Sequence, residues 1–252
     1  MIQTIPPLKR THNSVIRARL YESYRSYQNA GNPQDERKQR APYLRRLIKT
    51  HMPADRNVRI LDLGCGSGAI IYFLREAGYR NILGIDTSAE QIAPAAELGI
   101  GEVLRSDVFS FVRNTESESY DVVIAFDIIE HLTKPELFHL ADEIYRVLTP
   151  GGFWIAHAPN AEGVFGARIR YADLTHEQAF TRESMEQLAR AAGFRAIECF
   201  EDEPVVHGIK STIRWLIWKG ARALLRIFVM AETGDTGRNA LFSQNLLACA
   251  RK

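Results

Sequence analysis

An apolar run, VRILDL at 58–63, breaks at three glycines spaced two apart, Gly64, Gly66 and Gly68, and resumes as AIIYFLRE with helical spacing. A β-branched run that stops at glycines and restarts with a 3.6-residue period is a strand turning sharply into a helix. This confines the chain to folds in which a buried strand feeds a covering helix. The alternation repeats downstream. NILGID at 81–86 precedes a helical stretch from about Ala89 to Leu98, a short strand is predicted at 102–105, and VVIAF at 122–126 is apolar throughout, as a strand covered on both faces must be. Leu137, Leu140, Ala141, Ile144 and Val147 share one face of a helix over 134–147, which Pro150, Gly151 and Gly152 end before the strand FWIAHA. Thr181 caps a helix from Arg182 to Ala192 that Gly193 stops; FRAIECF and NLLACARK (245–252) are the last two strands. The reading is α/β, a mostly parallel sheet with helices on both faces.

With 252 residues, 46% of them hydrophobic and 25% charged, the chain is long enough for a full core. A net charge of +2 hides three blocks: 12 basic against 4 acidic residues over 1–56, 12 against 24 over 57–207, and 8 against 2 over 208–252. No RNA-binding motif accompanies the basic flanks, so nucleic acid is not the expected partner. Three unevenly spaced cysteines make neither a disulfide framework nor a zinc knuckle. MIQTIPPLKR lacks the apolar run of roughly 7 to 15 residues found in secretory leaders, and the cytoplasm is the expected compartment. Residues 1–56 are read as an N-terminal helical lid or cap, with Tyr24, Tyr27, Gln28 and Asn29 as lid residues, and 57–252 as the main domain with a helical insertion at 208–240.

Asp86 ends the second strand 22 residues after Gly64. An acidic group meets a ribose diol at an offset of roughly 20 residues, so turn and carboxylate together indicate an adenosine-containing ligand. Gly64, Gly66 and Ala69 also satisfy the dinucleotide spacing, and glycines alone do not choose the cofactor. The stretches ILDLGCGSG, GIDTS, SD at 106–107, DVVIAFDIIEHL and LTPGGFWIAHAPN resemble the class I S-adenosylmethionine-dependent methyltransferases over about residues 57–202. The resemblance implies a Rossmann-like seven-stranded sheet with an antiparallel last strand, N-terminal helices, and a helical insertion before that strand. It also implies a cofactor set: Asp62 at the end of strand one, Gly64, Cys65, Gly66 and Gly68 in the turn, Asp86 with Thr87 at the ribose, and Asp107 with Val108 at the adenine. Asp107 is equally well placed to cap a helix. Asp62 would oppose a pyrophosphate, which a sulfonium cofactor lacks.

Methyl transfer to a hydroxyl needs the acceptor held in line and its proton removed. Asp127, Glu130 and His131 follow the fourth strand, and in a helical segment they would share a face at i, i+3 and i+4. The segment is similar to the Glu-x-x-Glu-His stretch of metal-dependent ubiquinone and small-RNA methyltransferases, with Asp127 in the first place and His176 of HEQAFTR as a further histidine. That similarity implies Asp127, Glu130, His131 and His176 as ligands for Mg²⁺ or Mn²⁺. With or without metal, His131, His176 and Asp127 are the catalytic candidates; His131 as a packing residue stays open. His157, on a strand, is expected to be buried rather than catalytic. The late helix, 209–230, is basic and amphipathic, and leaves three partners open: the inner face of a membrane, a second copy in a homodimer, or its own domain. The whole pattern resembles bacterial methyltransferases of glycan and lipid-linked sugar pathways, which implies a sugar or phosphosugar hydroxyl as acceptor, with a quinone-like phenol or another small molecule as the alternative, and RNA 2′-O-methylation or an NAD-dependent reaction ranked below these.

Overall fold

A computed structural model describes residues 12–21, 31–234, 236–237 and 239–252. Tyr24, Tyr27, Gln28 and Asn29 lie outside the described residues. One sheet holds seven strands: β1 (Ile60–Leu63), β2 (Ile82–Asp86), β3 (Val103–Arg105), β4 (Tyr120–Phe126), β5 (Leu148–Pro159), β6 (Ala196–Glu201) and β7 (Asn245–Arg251). Their order is β3-β2-β1-β4-β5-β7-β6. The first five run parallel, and β7 is antiparallel to both β5 and β6. This is the expected Rossmann-like sheet with its antiparallel last strand.

Among the described residues the helices are α1 (His12–Tyr21), α2 (Pro33–His51), α3 (Ala69–Glu76), α4 (Ala89–Glu97), α5 (Val108–Asn114), α6 (Lys134–Val147), α7 (Gly166–Ala172), α8 (Arg182–Ala191) and α9 (Ile209–Thr233). Because side chains alternate along a strand, each layer receives every second residue. Ile60, Ile124 and Ile155 pack with Leu44, Leu47, Ile71 and Leu74 of α2 and α3. Leu61, Val123 and Trp154 pack with Val112, Leu140, Ile144 and Leu188 of α5, α6 and α8. Full burial of each such aliphatic side chain stabilises by roughly 1.5–3 kcal/mol. Thus α2, which falls within the cap read over 1–56, covers the sheet as α3 does, and one core runs across residue 56. Helix starts are fixed locally. Asn32 accepts a hydrogen bond from Gln34 N (2.8 Å), and Thr181 and Ser184 exchange backbone-to-side-chain bonds at the start of α8.

The strand order reverses between β1 and β4, and their C-terminal ends leave a crevice at that point. Two segments leave the sheet there: the glycine turn after β1, and residues 127–131 after β4.

Candidate functional site

The turn keeps Gly64, Gly66 and Gly68 at φ of +71°, +53° and +73°, a left-handed region that side chains with a Cβ rarely occupy. Asp86 holds the turn closed. Its Oδ2 accepts from Gly66 N (2.9 Å) and its Oδ1 from Ser88 N (2.8 Å), so β2 and the turn are joined through one carboxylate. Burial raises the Asp86 carboxyl even so. Asp62 is fully buried, and neither of its oxygens has a hydrogen-bond partner among the described residues. Burial, reinforced by the charge of Asp86, pushes its pKa up to about 8. Two adjacent carboxyls with raised pKa values, one of them unpartnered, suit a cationic ligand. S-adenosylmethionine, with its sulfonium and ammonium groups, fits that donor set; an anionic pyrophosphate does not. Cys65 is buried against Gly84, and burial raises its thiol. Thr87 is exposed beside the turn. Asp107 caps α5, its Oδ1 accepting from Ser110 N at 2.8 Å, with Val108 buried behind it.

Gly64 also touches the second segment: a Cβ on it would lie 2.9 Å from Cδ1 of Ile128. Beyond Ile128 only Ile129–His131 turn as a single 3₁₀ loop. Glu130, His131 and His176 come together there, with one ligand atom from each within 4.8 Å of the others. Neighbours fix how the two rings present themselves. Thr175 Oγ1 donates to Asp173 Oδ1 (2.6 Å), so it accepts from His131 Nδ1 (2.8 Å); His176 Nδ1 donates to the Ile169 carbonyl (3.1 Å). With Nδ1 of each ring held by a neighbour, Nε2 is the nitrogen a metal would use, as in metal-binding histidines fixed by a partner on the other nitrogen. Burial lowers the His131 pKa to about 4, which keeps the ring neutral, and raises Glu130 well above the carboxylate range. Glu130 Oε2 has no hydrogen-bond partner among the described residues. A neutral imidazole, and a buried carboxyl that a cation would return to its charged form, fit a divalent ion.

Asp127, expected on the same face, is not in this cluster. Its φ is +56°, one of two positive values among non-glycine residues described, so the chain reverses after β4 instead of starting a helix. The reversal aims Asp127 Oδ1 at His157 Nδ1, while the opposite ring nitrogen, Nε2, meets Asp202 Oδ2 at 2.7 Å. Tyr43 then donates to Asp202 Oδ1 (2.6 Å), and Arg40 stands 3.7 Å from Asp127 Oδ2. Burial alone would lower the His157 pKa, but two flanking carboxylates override it and push the value up to about 10. His157 is buried as expected, and it is an imidazolium that ties β4, β5 and the end of β6 together. Asp127 still has 45% of its side-chain surface exposed.

Sequence reading missed Arg17. Arg17 makes a bidentate pair with Glu136 (2.8 and 2.9 Å) and donates to the His131 carbonyl (2.7 Å), while the Tyr21 ring meets His131 edge-on at 5.8 Å. Nothing in an isolated α1 signals this, because its partners lie more than a hundred residues away. Asp173 and Thr175 were more accessible: an acid two residues before a threonine is an Asx-turn signal, and Thr175 N does donate to Asp173 Oδ1 at 2.8 Å.

The sheet order and the site at its switch point define the class I methyltransferase fold. The chain matches the methyltransferase domain family over residues 36–199 and belongs to that family, among the S-adenosylmethionine-dependent members of class I. It is 27% identical over 207 residues to the sterol 24-C-methyltransferase of Debaryomyces hansenii, covering 74% of this chain and 53% of that protein. It is 32% identical over 126 residues to the mitochondrial ubiquinone biosynthesis O-methyltransferase of Rattus norvegicus, covering 45% and 36%. The chain thus spans about half or less of these curated relatives. A SAM-dependent methyltransferase from Archaeoglobus fulgidus has the same fold, with a TM-score of 0.65 at 22% identity over 86% of this chain and 94% of that one.

Proposed function

We propose that the chain transfers the methyl group of S-adenosylmethionine to a hydroxyl, and that the acceptor is a sugar or phosphosugar of a glycan or lipid-linked glycan precursor made in the cytoplasm. The observation that carries the reading is the Glu130, His131 and His176 cluster, joined to the glycine turn through Ile128 on Gly64. In this reading Asp62, Asp86 and the turn bind and orient the cofactor, whose bound sulfonium supplies the methyl group. Glu130 and the Nε2 atoms of His131 and His176 hold a divalent ion. Two imidazoles with one carboxylate suit Mn²⁺ better than Mg²⁺, which prefers oxygen. Such an ion lowers the pKa of a hydroxyl beside it. Asp127 acts by position, its charge balanced by His157 and Arg40. Arg17, Tyr21 and Asp173 stand beside His131 and Glu130 at this cluster.

A quinone-type phenol is the second reading, favoured by the identity to the ubiquinone O-methyltransferase. The test is methyl transfer from labelled S-adenosylmethionine to sugar nucleotides, polyprenyl-linked sugars and catechols. It is run on chelated enzyme with Mn²⁺, Mg²⁺ or nothing added back. Transfer to sugars that Mn²⁺ restores is expected. Full activity after exhaustive chelation removes the metal, and turnover of catechols alone removes the sugar.

A further inference from the structure

Helix α9 is 25 residues long, about 37 Å at 1.5 Å per residue, and is attached to the domain by its polar side. Ser211 and Arg222 are its buried residues. Arg222 lies 3.3 Å from Glu201 and 3.7 Å from the centre of the Trp218 ring, and Lys219 pairs with Glu203 at 3.4 Å while covering Trp215 and Trp218. Trp215 and Trp218 are half-buried beneath these cations.

The apolar side points outward. Ile209, Ile213, Leu216, Ile217, Leu224 and Phe228 recur at helical spacing and are each between 53% and 83% exposed, and no described residue covers them. An uncharged strip of this length, open to water, is the reverse of an ordinary surface helix. Lys210 and Arg214 stand along one edge and Arg226 along the other, Lys219 being turned to Glu203, and there is no acidic residue from Ile209 to Ala231. No helix among the described residues is long and apolar enough to cross a membrane.

We infer that α9 lies flat on an anionic phospholipid bilayer, with its apolar strip among the acyl chains and its cationic edges at the phosphates. Charge decides between a bilayer and a second copy of the chain. A twofold partner laid on this strip would bring Lys210, Arg214 and Arg226 of each chain to its margins with no acidic residue of 209–231 to meet them, whereas lipid phosphates oppose all three. Lysine and arginine stems reach from the edge of such a strip to the headgroups. The inference goes beyond the choice of acceptor and does not depend on it.

The test is flotation of the full chain with phosphatidylcholine vesicles, with and without phosphatidylglycerol. Binding should require the anionic lipid and weaken with salt. I217D with L224D, at positions 68% and 69% exposed, should lower vesicle affinity at least about tenfold while leaving S-adenosylhomocysteine affinity unchanged. K210E with R214E should abolish the preference for phosphatidylglycerol. Equal binding by wild type and I217D/L224D, or no binding of wild type to anionic vesicles, overturns the inference. So does a sedimenting dimer that the aspartates disperse when vesicles capture nothing, since a second copy would then be the occupant.

Discussion

Asp62→Asn tests whether the orphaned carboxyl at the cofactor turn is kept for a ligand at the expense of stability. The folded chain holds a proton on Asp62 up to about pH 8, whereas the ordinary value is 3.8. Between those values the folded state binds one more proton than the unfolded state, so stability is full at low pH and falls as pH rises. The slope is about 1.4 kcal/mol per pH unit, and at pH 7 the accumulated loss is about 4 kcal/mol. Asparagine abolishes the ionisation but buries an amide with no partner, which costs about 1–3 kcal/mol. The ligand-free variant should therefore be about 2 kcal/mol more stable than wild type at pH 7, and the difference should vanish or reverse near pH 5. Urea unfolding of both proteins from pH 5 to 8 measures this. A ligand ammonium beside Asp62 would stabilise the carboxylate, so S-adenosylhomocysteine binding at pH 7 should release a proton from wild type and none from the variant, read by calorimetry in buffers of different ionisation enthalpy. Parallel pH profiles for the two proteins would refute the argument, because the carboxyl would then not be the buried acid described here.

His157→Asn should also change the pH dependence, and by the same linkage, since a pKa raised in the folded state makes wild-type stability fall as pH rises. The His157 pKa is raised from 6.5 to about 10, so the stabilisation it gives is complete below pH 6.5 and is lost as pH rises toward 10; the gap between wild type and variant in urea unfolding should close over that window. Gly84→Ala should destabilise by about 1–3 kcal/mol and weaken S-adenosylhomocysteine binding, since the new Cβ would lie 2.5 Å from Ile71 and 2.8 Å from the Cys65 sulfur. Thermal melts with and without ligand separate the two effects. Arg17→Ala should lower kcat more than it lowers the melting temperature, because the lost contacts end on the His131 carbonyl and Glu136 rather than in the main core. Steady-state kinetics beside a melt would show it.

Much of this fold is legible along the chain because its determinants are local. Continuous apolar runs mark β1, β2 and β4, glycines mark the turn, and Thr181 with Ser184 marks the start of α8. Asp62 and Asp86 follow from their strand ends. What the chain conceals depends on contacts distant in sequence. Asp127 looks like the first ligand of a helical cluster until its positive φ turns it to a histidine 30 residues on, and Asp202 reaches that histidine only because β6 ends beside it. Periodicity in α9 reveals a stripe but not which side is anchored. That depends on Glu201 and Glu203 drawing Arg222 and Lys219 inward.

The strand order also bears on synthesis. β6 pairs in the sheet with β7 alone, yet β7 follows it by more than forty residues. As the chain emerges from a ribosome, β1 to β5 can assemble while β6 waits beside an open edge of β5. Asp202 travels with β6. The His157 imidazolium therefore receives its second carboxylate only when Asn245–Arg251 slides between the two strands, and a nascent chain stalled within α9 would have its glycine turn in place but only half of the ionic clamp behind residues 127–131.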